Sequence, residues 1–576
     1  MAGLVSTRSV PVGEIRPFGE RGLLIGVEDP PAARALTQAL HAAQIDGLAD
    51  VVGGLATVLV LFDGDGDELD TRLPTLARLV DDALGGGPQV RDGGGLVVLS
   101  CVFDGPDLAE VAEVAGCTPE GVSELLTAQT LTVAMVGFSP GFAYLTGLPE
   151  QLRHIPRRSR PRPSVPGGSV ALANGYAAVY PTSSPGGWQL IGRTDERLFN
   201  PERFPYSRLA VGDRVRFERA TRSAGGGWSP PAPRPHPVSP GLPSPVPDAR
   251  PTSEDARPIF EVEDGGFRTV LQDGGRRHVA ALGVPGAGPG DPYSFRLANR
   301  LVGNAAVAVA LEATARGPTL RCLDATFVAV VGASPDLRLQ GQPIAAGRVV
   351  PVGAGQRLVV GPIRAGLRSY VAVAGGLVGP ELFGSCATDQ LCALGPGPIV
   401  SGQRLRAGVP TPPLGDHLAD PAGWTEGEPV VLRVLPGPHA QTFAPGAFAS
   451  LGTMRFTVAG ESNRVGLRLH RDPRGPTVDR APGAPGELDS QGMVHGAVQL
   501  PPDGDPVILL GDHATLGGYP VIAVVATVDH GRLGQCAPGV TVVLVPIDRR
   551  QAAAARAAQR RAMDVAVVGH YPLAVE

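Results

Sequence analysis

Apolar positions along this chain of 576 residues recur with two different periods. Helical spacing, three or four apart, marks PPAARALTQALHAA (30–43) and DTRLPTLARLVDDAL (70–84), while IRPFGERGLLIGVE (15–28) and LATVLVLFD (55–63) read as strands. Together they predict a small α+β unit over 1–90. LVVLSCVFD (96–104) opens a β-barrel over 91–220, interrupted by helical DLAEVAEVAG (107–116) and PEGVSELLTAQ (119–129). Thr118 and Pro119 supply an N-cap and a first-turn proline for the second of these. Periodicity then disappears: 221–257 is rich in Pro, Gly and Ser, which favours an extended, solvated linker. A second module over 258–546 ends in VILLG, PVIAVVATV and VTVVLVP, strand-like runs separated by turn residues as in an all-β barrel. A polar-faced helix, RRQAAAARAAQRRAM (549–563), falls in a tail over 547–576 and reads as a surface cap.

Composition sharpens this. Gly (79) and Pro (59) approach the level of disordered chains, yet 43% of residues are hydrophobic and the glycines and prolines punctuate apolar runs. Loop-rich β structure follows. A net charge of −5 leaves no basic footprint for nucleic acid. All 50 basic residues are arginine, which excludes a Walker A lysine, a Schiff-base lysine and a biotinyl-lysine on this chain. Six scattered cysteines, no leader and no apolar run of membrane length predict reduced thiols in the cytoplasm and no membrane partner.

Three glycine- and proline-punctuated loops stand out in the first module: GFSPGFAYLTGLP (137–149), PRPSVPGGSVALANGYAAVYP (161–181) and SPGGWQLIGRT (184–194). Each delivers backbone N–H groups from strand ends, either as a ligand site or as ordinary hairpin connections. Gly167, Gly168 and Ser169 offer a backbone nest for a phosphate or lactam oxygen, with Gly186, Gly187 and Arg193 nearby in sequence. Ser169 lacks the context of a nucleophile elbow. Trp188 either stacks on a base or closes the barrel.

In this order, the motifs resemble the B-subunit family of bacterial 5-oxoprolinase. The second module, with TVLQDGGR (269–276), GVPGAGPGDPYSFRLANRLVGN (283–304), ESNRVGLRL (461–469), DHATLGGYP (512–520) and QCAPG (535–539), resembles the C-subunit family, which is similar to the carboxyltransferase region of urea carboxylase. The resemblance implies a mainly β protein with α+β parts: cyclophilin-like barrels in two fused modules. It implies ATP-dependent opening of 5-oxoproline to glutamate, using ATP and Mg²⁺, with the 5-oxoprolinase A subunit as a separate partner. Carboxyl transfer from a separate biotin carrier to urea or another amide, and inhibition of a sensor kinase, are the alternatives. A homo-oligomer is left open. VPGGS, GRTD, DHATLGGYP and Leu126 depart from the family's usual residues.

Candidate chemistry in the second module falls in four places. Gln272, Asp273 and Arg276 form a turn in which Asp273 orients Arg276, or caps a hairpin. Glu312, in an apolar run, needs a partner or a raised pKa. Asn463, Arg464 and Arg468 suggest two guanidiniums on one strand face, an anion fork. Asp512 and His513, followed by Gly517, Gly518 and Tyr519, are the acid/base candidates beside a loop that a ligand can approach.

Overall fold

The computed structural model describes residues 9–64, 69–85, 94–160, 162–220, 255–410, 412 and 427–566. The linker expectation falls outside these residues except for its last three, as does the end of the tail.

The chain begins with an antiparallel sheet in the order Ile15–Phe18, Gly22–Gly26, Thr57–Phe62, Leu48–Gly53. Alternation along its strands gives it two buried faces. Leu23, Ile25, Val58 and Val60 pack on the helices Pro30–Ala42 and Leu69–Gly85, whereas Leu24 and Leu59 point the other way, into a core shared with both modules. The first helix starts where Asp29 accepts the Ala32 N–H at 2.8 Å and prolines fill the opening positions.

Seven strands follow, in the order Gln189–Arg193, Ser169–Ala173, Tyr176–Val179, Ala143–Thr146, Leu131–Val136, Arg214–Arg219, Leu96–Cys101. The outer two meet where Val102 and Arg193 exchange hydrogen bonds of 2.9 and 2.8 Å, so the sheet closes on itself as a barrel. Thr118 caps its helix through the Gly121 N–H at 3.1 Å, and Leu126 is fully buried among the barrel's apolar residues.

Among its described residues the second module contains two large β-structures and a small two-stranded sheet, Gln491–Gly492 with Leu516–Gly517. A ten-stranded sheet is built around the long strands Thr326–Leu339 and Arg357–Val373, with the helix Pro292–Leu301 packed on it. A closed barrel follows, in the order Val430–Pro436, Val521–Val525, Ala497–Gln499, Val507–Leu509, Gly466–Arg471, Phe456–Val458, Thr541–Pro546. The final helix, Arg549–Ala566, is more than a surface cap. Arg549 donates to the Gly19 carbonyl at 3.1 Å and Arg556 pairs with Glu20, which ties the end of the chain to its first sheet.

The modules share apolar cores. Phe142, Tyr144, Tyr180 and Trp188 of the first barrel meet edge to face at centroid distances of 5.0–5.7 Å. Met493, Val494, Leu516 and Val524 of the second module pack into the same cluster. Trp188 is thus a core residue. Phe199 of the first module also packs with Val279, Val284, Cys392 and Leu394 of the second. Because contacts of this kind stabilise in proportion to the apolar area removed from water, cutting the chain within 221–254 should leave the two halves associated. Limited proteolysis followed by gel filtration is expected to give one peak containing both fragments; two separately eluting fragments would contradict the shared core.

Candidate functional site

A cavity of about 420 Å³ lies where the first sheet, both parts of the second module and the final helix meet, within the size range of small-molecule sites, roughly 300–1,000 Å³. Arg276 is on its wall. The turn leading to this residue is fixed by Asp273, whose Oδ1 accepts the Gly275 N–H at 2.9 Å and the Ser385 hydroxyl at 2.6 Å while Oδ2 accepts the Cys386 N–H at 2.8 Å. Gln272 adds a bond from Nε2 to the Thr388 carbonyl at 2.9 Å. At Gly275 φ is +82°, and a Cβ would lie 2.8 Å from the Gly286 carbonyl oxygen, so both conformation and space require glycine.

Arg276 is only 5% exposed, and Nη2 donates to the Ala387 carbonyl. Its Nε and Nη1 have no hydrogen-bond partner among the described residues. Burial lowers its pKa, opposed by the Asp389, Asp273 and Asp512 carboxylates. A desolvated guanidinium with spare donors is costly in isolation and well placed for an anion. His513 also lines the cavity. Its Nδ1 lies 2.8 Å from the Ala514 carbonyl, and burial holds its pKa below the ordinary 6.5. With Nδ1 donating, as the geometry implies, Nε2 carries the free lone pair.

Glu312 is not free for proton transfer. Oε2 accepts the Tyr370 hydroxyl and the Gly290 N–H, both at 2.8 Å, and Oε1 accepts Arg464 Nη1 at 2.5 Å with Arg368 Nε 3.5 Å away. Burial alone would raise this carboxyl, but the two guanidiniums and the hydrogen bonds hold it below its ordinary value. Arg464 also grips Asp512 with two bonds of 3.0 Å, and Asp512 Oδ2 accepts the Gln390 N–H at 3.0 Å. Asp512 is thereby committed to a structural pair.

The anion fork of Arg464 and Arg468 does not form. Asn463 Oδ1 accepts the Val465 and Gly466 N–H groups at 2.8 and 3.3 Å, so the strand begins only at Gly466. Arg464 lies buried before it, while Arg468 points to solvent. Arg468→Gln should therefore change stability and ligand binding by less than about 0.5 kcal/mol, as melting curves and titrations of the variant will show.

In the first module the candidate residues are occupied by the fold. Ser169 donates its hydroxyl to the Pro166 carbonyl at 2.8 Å, and the Gly168 N–H bonds the Tyr180 carbonyl at 2.7 Å, so no open nest faces a phosphate. Gly167 packs against Thr182, and Gly186 against the Tyr180 ring. The Gly187 carbonyl accepts the Arg158 N–H at 2.8 Å, and Arg193 is paired with Asp104 at 3.0 Å on the surface. In the second module Gly517 pairs with Gln491 in a two-stranded sheet, the Gly518 carbonyl accepts the Leu488 N–H, and Tyr519 is half-buried; none of the three lines the cavity.

Two acidic residues near the site went unmarked in the sequence. Asp389 is 1% exposed, accepts the Cys392 N–H at 2.6 Å through Oδ1, and has no partner at Oδ2 among the described residues. Burial and the neighbouring Asp512 push its pKa up to about 7. Asp50 lines the cavity from the first sheet. The only sequence signal for Asp389 is a lone acid in the small, apolar run SCATDQLCAL.

Comparison with known proteins agrees with this two-part construction. A family described as carboxyltransferase domain, subdomain C and D, matches residues 13–209, and one described as subdomain A and B matches 282–546. The chain is 35% identical over 308 residues to the C subunit of 5-oxoprolinase from Escherichia coli (strain K12), covering 53% of this chain and 96% of that protein. It is 34% identical over 207 residues to the B subunit of 5-oxoprolinase from Escherichia coli O157:H7, covering 35% of this chain and 93% of that one. The crystal structure of TTHA0988 matches with a TM-score of 0.75 at 34% identity, over 91% of this chain and 99% of that one. With both relatives matched over nearly their whole lengths by consecutive parts of one polypeptide, the chain belongs to the carboxyltransferase-domain family of the 5-oxoprolinase B and C subunits.

Proposed function

We propose that this chain is the fused B and C component of an ATP-dependent 5-oxoprolinase, which activates the lactam of 5-oxo-L-proline so that a separate A subunit finishes hydrolysis to L-glutamate. The observation that carries this reading is Arg276, a buried guanidinium with two unpartnered donors on the wall of a cavity shared by both modules. The substrate brings a carboxylate and its co-substrate brings phosphates. Both are recognised well by arginine. The cavity wall carries Arg21, Arg276, Arg277, Arg296, Arg556 and Arg560 against the carboxylates Glu20, Asp50 and Asp63, an excess of positive charge that suits anions in a chain without lysine.

An amide is a poor electrophile. In the proposed reaction the lactam oxygen attacks the γ-phosphorus of ATP, the bond to the bridging oxygen breaks, ADP leaves, and the lactam N–H proton passes to a base. His513, kept neutral by burial, has Nε2 available for that proton. Arg276 holds the substrate carboxylate and fixes the ring. Among the described residues no group of three or more His, Cys, Asp or Glu is arranged to hold a metal. A magnesium ion arriving on nucleotide phosphates needs only one or two protein carboxylates.

The test is to combine the purified chain with its cognate A subunit, then to measure ATP hydrolysis with and without 5-oxoproline. Stimulation by the lactam is expected. No stimulation, together with carboxylation of urea or another amide when a biotinylated carrier protein is supplied, would replace this reading with carboxyl transfer.

A further inference from the structure

We propose that Asp50, in the first module, is a positioning residue for Arg276 in the second: it clamps the short strap that follows Arg276 and so holds the guanidinium toward its anion. This rests on the functional reading above for the identity of the anion, but not for the clamp itself.

The strap runs from Arg277 to Gly283 and contains a single 3₁₀ turn, Ala280–Leu282. Its internal hydrogen bonds lie in that turn, from the Leu282 N–H to the Val279 carbonyl and from the Gly283 N–H to the Ala280 carbonyl, both at 2.9 Å. His278 sits at φ +59°, in the left-handed region that costs a non-glycine residue energy unless its surroundings enforce it. The first module supplies that enforcement from two sides. On one, Asp50 in the strand Leu48–Gly53 accepts the His278 N–H through Oδ2 and the Ala280 N–H through Oδ1, each at 3.1 Å. On the other, the Gly141 N–H in the GFSPGF loop donates to the Leu282 carbonyl at 3.1 Å. Gly283, at φ +75°, lies so close to that loop that a Cβ would come 2.4 Å from the Ser139 carbonyl oxygen. Just ahead of the strap, the Arg276 N–H bonds the Gly286 carbonyl at 2.6 Å. Displacing the strap therefore displaces Arg276, and Asp50, Arg276, Arg277 and Ala280 all face the same cavity.

A side chain that must meet a small anion has to be held within a fraction of an ångström. At His278, Ala280 and Leu282 the strap is held by acceptors and donors that the second module does not own. The clamp gives a physical reason for the anion site to need both modules.

Asp50 also carries a pH signature. Burial raises its pKa to about 7, against the lowering effect of the Ala280 and His278 N–H groups, with Asp63 adding to the rise. The other charged or titratable groups around it are Arg277, paired with Asp63 at 3.2 Å, and His278 and His41, both kept below the ordinary histidine value by burial. A carboxyl whose pKa is higher in the folded state than the ordinary 3.8 binds its proton preferentially there. Folding therefore gains stability from this carboxyl at acid pH and loses it as the pH rises from about 4 to about 7, whereas the strap's own N–H bonds favour the charged form.

The test uses the full chain, with Asp50→Ala and Asp50→Asn. Hydrogen exchange of the 277–284 segment, corrected for intrinsic rates, is expected to quicken at least about tenfold in Asp50→Ala, a change of about 1.4 kcal/mol. In Asp50→Asn, which keeps one carbonyl acceptor, it should be partly restored. The melting temperature of the wild type relative to Asp50→Asn should fall as the pH rises from about 4 to about 7. In lactam-stimulated ATP hydrolysis with the A subunit present, Asp50→Ala should raise KM for 5-oxoproline about tenfold with a smaller change in kcat, and Asp50→Asn should recover part of it. Unchanged exchange in both variants would overturn the clamp. Faster exchange or a lower melting temperature with KM unchanged would overturn its link to Arg276. If the wild-type chain shows no lactam response while the exchange results stand, the functional reading has failed and the clamp has not.

Discussion

Replacing Arg464 with methionine is expected to destabilise the protein by about 3–5 kcal/mol at neutral pH, the cost of leaving buried charge without its partner. Arg464 is the cation bonded to both Glu312 in the ten-stranded sheet and Asp512 beside the second barrel. Removing it takes the bonded guanidinium from Asp512 and leaves Glu312 with Arg368 at 3.5 Å, and both carboxylates are 0% exposed. The pH dependence of the loss has a definite sign. The folded-state pKa of Glu312 is depressed, so its contribution in the wild type is present above the ordinary value of 4.5 and is lost as the pH falls through the lower folded value. The gap between variant and wild type should therefore narrow toward acid. Urea denaturation of both chains at pH 7 and near pH 4 checks this. Changing Glu312→Gln, Asp512→Asn and Arg464→Met together should recover much of the loss, because removing a complete buried ion-pair set is far less costly than breaking it.

Arg276→Gln is expected to act in the opposite way. Its guanidinium is buried with two unpartnered donors, which is a burden on the fold. Removing the charge should leave the melting temperature unchanged or raise it, while KM for 5-oxoproline rises by the equivalent of about 1.5–3 kcal/mol, the range for hydrogen bonds to charged groups. Arg276→Lys should rescue only part, since an ammonium cannot present two parallel donors to a carboxylate. A fall in stability with KM unaltered would make Arg276 a structural residue.

The contrast between these two arginines shows what could be read in the sequence. Arg276 follows an Asp-Gly-Gly turn, and the local chemistry of that turn fixes the backbone beside it, so TVLQDGGR points to a residue that the cavity wall carries. His513, next to a Gly-Gly loop, was legible for the same reason. The strands and the capped helix at Thr118 were equally visible, because periodicity and turn residues are local. Arg464 was visible as a charge but not as a structural one. Its partner Glu312 is 152 positions away, and the pairing depends on how a sheet and a barrel pack. The strand face expected to carry both Arg464 and Arg468 is lost at one residue: Asn463 makes a turn that delays the strand to Gly466. Asp389 and Asp50 escaped because neither lies in a motif. Asp50 lies in an ordinary sheet strand, and its contacts with His278 and Ala280 span 228 and 230 positions.

The cavity between the modules is tested most directly by titration calorimetry of 5-oxoproline into the full chain, with a non-hydrolysable ATP analogue present, for the wild type, Arg276→Gln and Arg468→Gln. Saturable binding by the wild type, unchanged binding by Arg468→Gln, and at least about tenfold weaker binding by Arg276→Gln, equivalent to about 1.4 kcal/mol, are the expected results. Wild-type affinity in a well-folded Arg276→Gln chain would place the lactam elsewhere and contradict the assignment of this cavity.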